Sequence, residues 1–224
     1  QISETSLIGK QNIEPELEKL EQKLKVAKIL AQGGTRIDLD CLILGDAGSG
    51  KHFIAKTIAS KIIAAGVAKQ GIKEVDAADW AQFSSDFDKN ISSLKDGILL
   101  LTNAQKLLPT SKSSDVNQLD KLFARMRTVE GAPIVLLCGH MNDLSGFLEN
   151  NKDVRRLFGF EFRLEPFSNN DLCILTSSML KERYKLGMED GAVKKLKSHF
   201  AWCMRQKEMG YVNGHLAEKT AEDL

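Results

Sequence analysis

The sequence predicts an α/β fold, a five-stranded parallel sheet covered by helices and followed by a small all-helical piece. Three observations carry that reading. Five short apolar runs alternate with helix-like stretches between Leu39 and Leu164. A glycine-rich loop joins the first run to a helix, and beyond Pro166 only helical periodicity continues.

From Glu14 to Ala31, Leu17, Leu20, Leu24, Ala27 and Ala31 recur at steps of three or four, which is one face of a helix. Gln32-Gly33-Gly34 supplies its stop, because glycine adopts the left-handed turn favoured after a helix. The strand-like runs are Leu39–Leu44, Ile72–Val75, Ile98–Leu101, Ile134–Cys138 and the weaker, alternating Phe160–Leu164. Near-continuous apolar strands suit a parallel sheet covered on both faces. Helix-like stretches lie at Phe53–Ala65, Gln118–Arg127 and Asp143–Leu148, and the polar Pro109–Asp115 reads as an exposed loop. After Pro166, Asn169–Tyr184 and Glu189–Met204 read as helices joined by a turn at Lys185–Met188. A third helix starts near Asn213 and is cut short at Leu224. The expected division is a core over residues 1–166 and a truncated helical subdomain over residues 167–224.

Composition narrows the function classes. The 224 residues, 42% hydrophobic and 27% charged, suit a globular core with a small appended piece. A net charge of +1 without long one-sign stretches does not indicate nucleic acid as a partner. Cys41, Cys138, Cys173 and Cys203 form no CxxC pair, so a reducing, cytoplasmic setting is expected and a metal site is not. No run approaches the roughly 18 apolar residues of a membrane span. The N-terminus has no signal-peptide pattern. The chain does not begin with Met and is expected to be part of a longer protein. Trp80 and Trp202 are expected to pack inside, while Asp86–Asp88, Glu218–Asp223 and the Lys194, Lys195, Lys197 group read as solvated surface.

The segment Gly45-Asp46-Ala47-Gly48-Ser49-Gly50-Lys51-His52-Phe53 satisfies GxxxxGK, between an apolar strand and a helix. Its glycines permit positive φ, so successive N–H groups turn inward on a phosphate. The helix N-terminus and Lys51 add positive charge. Asp46, Ala47, Gly48, Ser49, Gly50, Lys51, His52 and Phe53 are therefore the expected nucleotide-binding residues, with ATP or ADP as the ligand. The position after the lysine normally carries the Ser or Thr hydroxyl that ligates Mg²⁺. It holds His52, and imidazole is a poor ligand for that hard cation.

With the loop as anchor, the chain resembles the CbxX/CfqX group of AAA+ proteins over Leu7 to Leu224. Leu7-Ile8-Gly9 looks like the group's opening LIG, and the resemblance implies that Ile8 and Gly9 border the adenine. Glu74-Val75-Asp76-Ala77-Ala78-Asp79 resembles its second strand, and Ile134–Gly139 with Phe147-Leu148-Glu149 and Asn151 resembles its IVIFAGY…FL…N stretch. Phe167-Ser168 with Asp171-Leu172 resembles the step into the helical lid, and Asn213-Gly214 resembles the lid's NGR. The resemblance implies a P-loop AAA+ core with a lid, protein partners or other AAA+ subunits, and ATP hydrolysis.

The positions that would hydrolyse ATP depart from the pattern. Thr102 and Asn103 stand where the strand should end in Asp-Glu, and neither an alcohol nor an amide is a general base. In Val154-Arg155-Arg156-Leu157-Phe158 the second arginine of LRSRF falls on Leu157, unless a one-residue shift brings in Arg156. The lid arginine falls on His215. Asp76, Asp96 and Asp115 are the acids available to compensate. The expectation is a pseudo-ATPase: no catalytic residues, weak or absent Mg²⁺, no other metal, and a structural or regulatory role in a larger assembly. The alternatives are an active ATPase remodelling a protein through a pore, with Trp80 or Phe83 gripping it, and a scaffold whose loop stays empty.

Overall fold

Strands with both faces covered cannot alternate apolar and polar residues, and the central strands do not. β1 (Cys41–Gly45) is buried throughout, β3 (Ile98–Thr102) at all but its last residue, and β4 (Ile134–Gly139) at all but its first. The edge strands differ. In β2 (Ile72–Asp76) only Val75 is buried, and β5 (Phe160–Leu164) alternates. The computed structural model describes residues 7–31, 38–108, 118–126, 129, 131–206 and 212–224. It orders the strands β2-β3-β4-β1-β5 in the expected five-stranded parallel sheet. Ile98 pairs with Ile134, Cys41 with Leu136, and Asp76 with Thr102.

The chain divides into two compact units. One comprises the segment up to Asn12, Gly45–Gly50 and Leu164–Leu224; the other comprises Ile13–Leu44 and Lys51–Arg163.

In the larger unit, α1 (Glu14–Ala31) has the predicted bounds and buries Leu17, Leu20, Leu24 and Ala27. α2 (Lys51–Ala64) packs on β3 and β4. The hydrophobic core takes Leu42, Leu99, Leu101, Val135 and Leu137 from the sheet, with Leu119, Leu122, Phe123 and Met126 from α5 (Gln118–Met126) and Leu144 and Leu148 from α6 (Met141–Asn150). Two short helices not foreseen, α3 (Trp80–Ser85) and α4 (Phe87–Ser92), follow β2, and a third, α7 (Lys152–Arg155), follows α6. Fewer than two turns leave no periodicity to read; α3 and α4 are held by contacts among Trp80, Phe83 and Phe87.

In the smaller unit, α8 (Asn169–Met179) opens with a capping box, Ser168 Oγ accepting from Asp171 N and Asp171 Oδ2 accepting from Ser168 N. It runs into a π turn at Leu180–Tyr184 that Lys185 ends at φ 60°. With α9 (Asp190–Cys203) and α10 (Gly214–Asp223) it encloses Leu172, Cys173, Leu196, Phe200, Cys203, Leu216 and Ala217. Trp80 is buried as expected, but Trp202 is 55% exposed. The buried face of α9 is Leu196, Phe200 and Cys203, and two residues past Phe200 is about half a turn away, on the wet side. The stop at Gln32-Gly33-Gly34, the loop at Pro109–Asp115 and the end of the fifth helix at Arg127 lie outside the described residues. Among the described residues no helix is long and apolar enough to cross a membrane.

Candidate functional site

The glycine loop is built as a phosphate cradle needs. Gly48 and Gly50 have φ of 69° and 89°, and Ser49 N donates to Asp46 O at 3.2 Å. The loop's outward carbonyls are held by the start of α10: Asn213 Nδ2 donates to Ala47 O at 2.8 Å, and Gly214 N donates to Gly48 O at 2.9 Å. In a trans peptide the C=O and the next N–H point oppositely, so the Gly48 N–H faces away from Asn213. A Cβ on Gly48 would stand 2.5 Å from Val212 O and 3.0 Å from His215 Cδ2. His215 thus lies against the loop, where the resemblance places the lid arginine. Ser49 is fully buried against Gly45, and its hydroxyl has no hydrogen-bond partner among the described residues. An orphaned buried hydroxyl is costly unless an acceptor is supplied. Loop geometry and orphaned donor together fit a phosphate.

The same unit contains the opening segment. Lys10 N donates to Leu7 O at 3.0 Å, forming a turn around half-buried Ile8. Gly9 sits at φ 64°, and a Cβ there would come within 2.8 Å of Asp171 Cγ and 2.9 Å of Phe167 Cδ1. Only glycine admits that approach, so Gly9 is seated on the start of α8. Lys10 itself escaped the sequence reading. It is 2% exposed, donates from Nζ to Glu165 O at 2.7 Å, and lies 3.8 Å from the Phe167 ring centroid. Burial lowers its pKa to about 8, against the opposing pull of Asp171 and Glu165. A lysine following Ile-Gly carries no signal of burial.

The larger unit contains the residues that would manage a cation and a water. α2 begins at Lys51, whose carbonyl oxygen lies 4.0 Å from the buried Cys138 Sγ. Burial pushes the Cys138 thiol up to about 12, leaving it inert. Phe53 is 45% exposed, and its carbonyl accepts from Thr57 Oγ1. His52 Nε2 lies 2.7 Å from Glu74 Oε1, while Lys56 Nζ lies 3.4 Å from Glu74 Oε2. His52 is thereby tied to Glu74 on β2.

Asn103 adopts φ 53°, ψ 36° and donates from Nδ2 to Asp76 Oδ2 at 2.5 Å. Asp76 Oδ1 accepts from Ala78 N at 2.8 Å and meets Lys106 Nζ at 3.6 Å. The Ala78 N–H, then Asn103 and Lys106, hold its carboxyl below its ordinary pKa. Asp76 is thus the strand-end acid in register with Thr102, and it is already engaged in capping. Asp96 precedes β3, at the opposite strand end from Thr102, and Asp115 lies outside the described residues. His52, Asn103 and Asp76 are thus each engaged with another side chain, and no group of three metal-binding side chains occurs among the described residues.

The arginine region is equally occupied. Arg155 pairs with Glu161 at 2.9 Å, Arg156 is exposed and pairs with Asp153 at 3.4 Å, and Leu157 packs against the core. Leu148, Glu149, Lys152, Arg155 and Arg156 line an open cleft of about 480 Å³. Trp80 and Phe83, the two aromatics considered for a pore, are buried at 6% and 7% exposure.

No protein-family model matches the chain. It is similar to the ESX-3 secretion system protein EccA3 of Mycobacterium tuberculosis, 25% identical over 205 residues that cover 87% of this chain and 32% of the relative. The ESX-1 secretion system protein EccA1 of Mycolicibacterium smegmatis is 23% identical over 202 residues, covering 84% and 35%. The chain thus spans about a third of the length of these relatives. Among solved structures it is similar to RuvB of Thermotoga maritima, with TM-score 0.55 and 20% identity over 97% of this chain and 70% of that one. A replication initiator DnaA, bound to AMPPCP and single-stranded DNA, gives 0.55 and 17% over 88% and 58%. At those identities the likeness to the solved structures is one of fold.

Proposed function

We propose that this chain, an AAA+ protein related to the EccA proteins of the CbxX/CfqX-like group, is a nucleotide-binding module that no longer hydrolyses ATP. One observation carries the reading: at the end of β3, where the resemblance places the carboxylate that polarises water, the side chain is the amide of Asn103, and it donates to Asp76. Phosphoryl transfer rests on positioning and on neutralising charge around Mg²⁺. His52 with Glu74 and Asn103 with Asp76 support the loss of both. Binding would rest on the Gly48 backbone N–H, the Ser49 hydroxyl and Lys51, the residue that follows the loop glycines, with Ile8 and Gly9 bordering the base. In this reading residues 1–166 act as core and 167–224 as lid, and the module serves a structural or regulatory role in the cytoplasm, with protein partners or other AAA+ subunits. The secretion-system relatives favour protein over nucleic acid as the partner class.

The test pairs steady-state phosphate release with calorimetric titration of ADP and ATP, each with and without Mg²⁺. Nucleotide binding with phosphate release at buffer background is the expected outcome. Turnover near one per second, ordinary for a working enzyme, and abolished by Lys51→Ala, would establish the active ATPase instead. No detectable binding of either nucleotide would leave a scaffold with a vestigial loop.

A further inference from the structure

We propose that the ammonium of Lys10 is a second cation of the nucleotide site, contributed from outside the glycine loop, and that it neutralises phosphate charge on a bound nucleoside diphosphate. The inference rests on the nucleotide-binding reading above and deepens it. Its basis is a juxtaposition within one compact unit. A Cβ built on Gly50 would stand 3.9 Å from Lys10 Cε and 3.9 Å from Phe167 Cζ. The space beside that glycine is therefore faced by a buried lysine and the ring that holds it. Gly50 lies in the loop whose geometry fits a phosphate.

The lysine is held in place but incompletely countered. Its Nζ donates to Glu165 O at 2.7 Å and lies 3.8 Å from the Phe167 centroid, an arrangement of carbonyl and ring face that fixes an ammonium's position. An ammonium carries three N–H donors, and a cation held away from water needs countercharge. Asp171, one of the carboxylates acting on it, already accepts from Ser168 N at 2.9 Å and Ser168 Oγ at 2.5 Å. A phosphate beside Gly50 would supply an anion.

The same burial gives the device a pH signature. The Lys10 pKa is lowered to about 8 by burial, so its charge is lost as pH rises from 7 to 9. Only the protonated form attracts phosphate, so affinity should fall across that window. The charges that act on Lys10 are Asp171 on α8 and Glu165 in the connection after β5; the loop itself carries Asp46, and His215 on α10 lies against Gly48.

Calorimetric titration in EDTA with ADP and with adenosine, on wild type, Lys10→Met and Lys51→Ala, tests this. Lys10→Met should weaken ADP about tenfold or more, the scale of one charge-assisted contact, and leave adenosine unchanged. Wild-type ADP affinity should fall between pH 7 and pH 9, and Lys10→Met should flatten that profile. The inference is overturned if Lys10→Met binds ADP like wild type while Lys51→Ala does not, or if ADP and adenosine weaken together. Should Lys10→Met fail to fold, the wild-type pH series decides, and a flat profile overturns the proposal. If wild type binds no ADP at any pH, the nucleotide-binding reading falls and this inference with it. That outcome is distinct from a loss confined to Lys10.

Discussion

The side-chain amide of Asn103 donates to Asp76 Oδ2 at 2.5 Å, linking the end of β3 to the end of β2. Asn103 does so from a left-handed backbone, φ 53°, ψ 36°, which asparagine tolerates better than most side chains. Its chemistry and its conformation both suit a neutral structural amide. Asn103→Glu replaces the donor with a second carboxylate facing Asp76. It should cost about 1–3 kcal/mol, from a lost hydrogen bond to a charged group and like-charge repulsion. Denaturant unfolding of the variant against wild type measures it, and an unchanged midpoint would mean the bond contributes nothing.

Asp76 should leave a trace in acid. Its carboxyl is held below the usual range by the Ala78 N–H first, then by Asn103 and Lys106. A depressed folded-state pKa stabilises the fold above the ordinary aspartate value of about 3.9, and the contribution is lost as pH falls through the lower folded value. Thermal melts of wild type and Asp76→Asn should therefore differ at neutral pH and converge below about pH 4. A difference that stays constant down to the acid limit would rule out ionisation of Asp76 as its source.

Introducing the groups of the family pattern is a severe test of the proposed site. In the triple variant His52→Thr, Thr102→Asp, Asn103→Glu, two new carboxylates arrive beside Asp76, which is in register with residue 102. The variant should melt lower than wild type in EDTA and recover with Mg²⁺ and ATP, because a cation would then bridge acids that otherwise repel. Hydrolysis should remain slow, since Leu157 and His215 supply no arginine. Identical melting temperatures with and without Mg²⁺ would show that no cation site was recreated.

Mutating Gly48 should disable the loop without unfolding the protein. Its φ of 69° disfavours any side chain by roughly 1–2 kcal/mol, and a Cβ would meet Val212 O at 2.5 Å. Gly48→Ala should keep the far-UV spectrum and lose ADP affinity, because Val212–Gly214 and the loop cannot both hold their places. ADP binding equal to wild type would show that the Asn213 and Gly214 bonds to Ala47 and Gly48 are dispensable for the ligand.

What the sequence determined by itself was local or chemical. Leu17 through Ala27 marked α1 because helical spacing is written in neighbouring residues, and continuous apolar runs marked β1, β3 and β4 because strands covered on both faces need no alternation. That Thr102 and Asn103 are an alcohol and an amide, neither a general base, and that His52 is a poor ligand for a hard cation followed from side-chain chemistry alone. Tertiary structure decided what those side chains do instead. His52 and Glu74 are 22 positions apart, Asn103 and Asp76 are 27 apart, and Lys10 and Glu165 are 155 apart. The exposure of Trp202 and the burial of Lys10 were likewise settled by which face of α9 packs inward and by where Phe167 stands. A residue type states what bonds it can make. Which bond it makes depends on the partner that folding brings within about 3 Å, and no spacing along the chain encodes that distance.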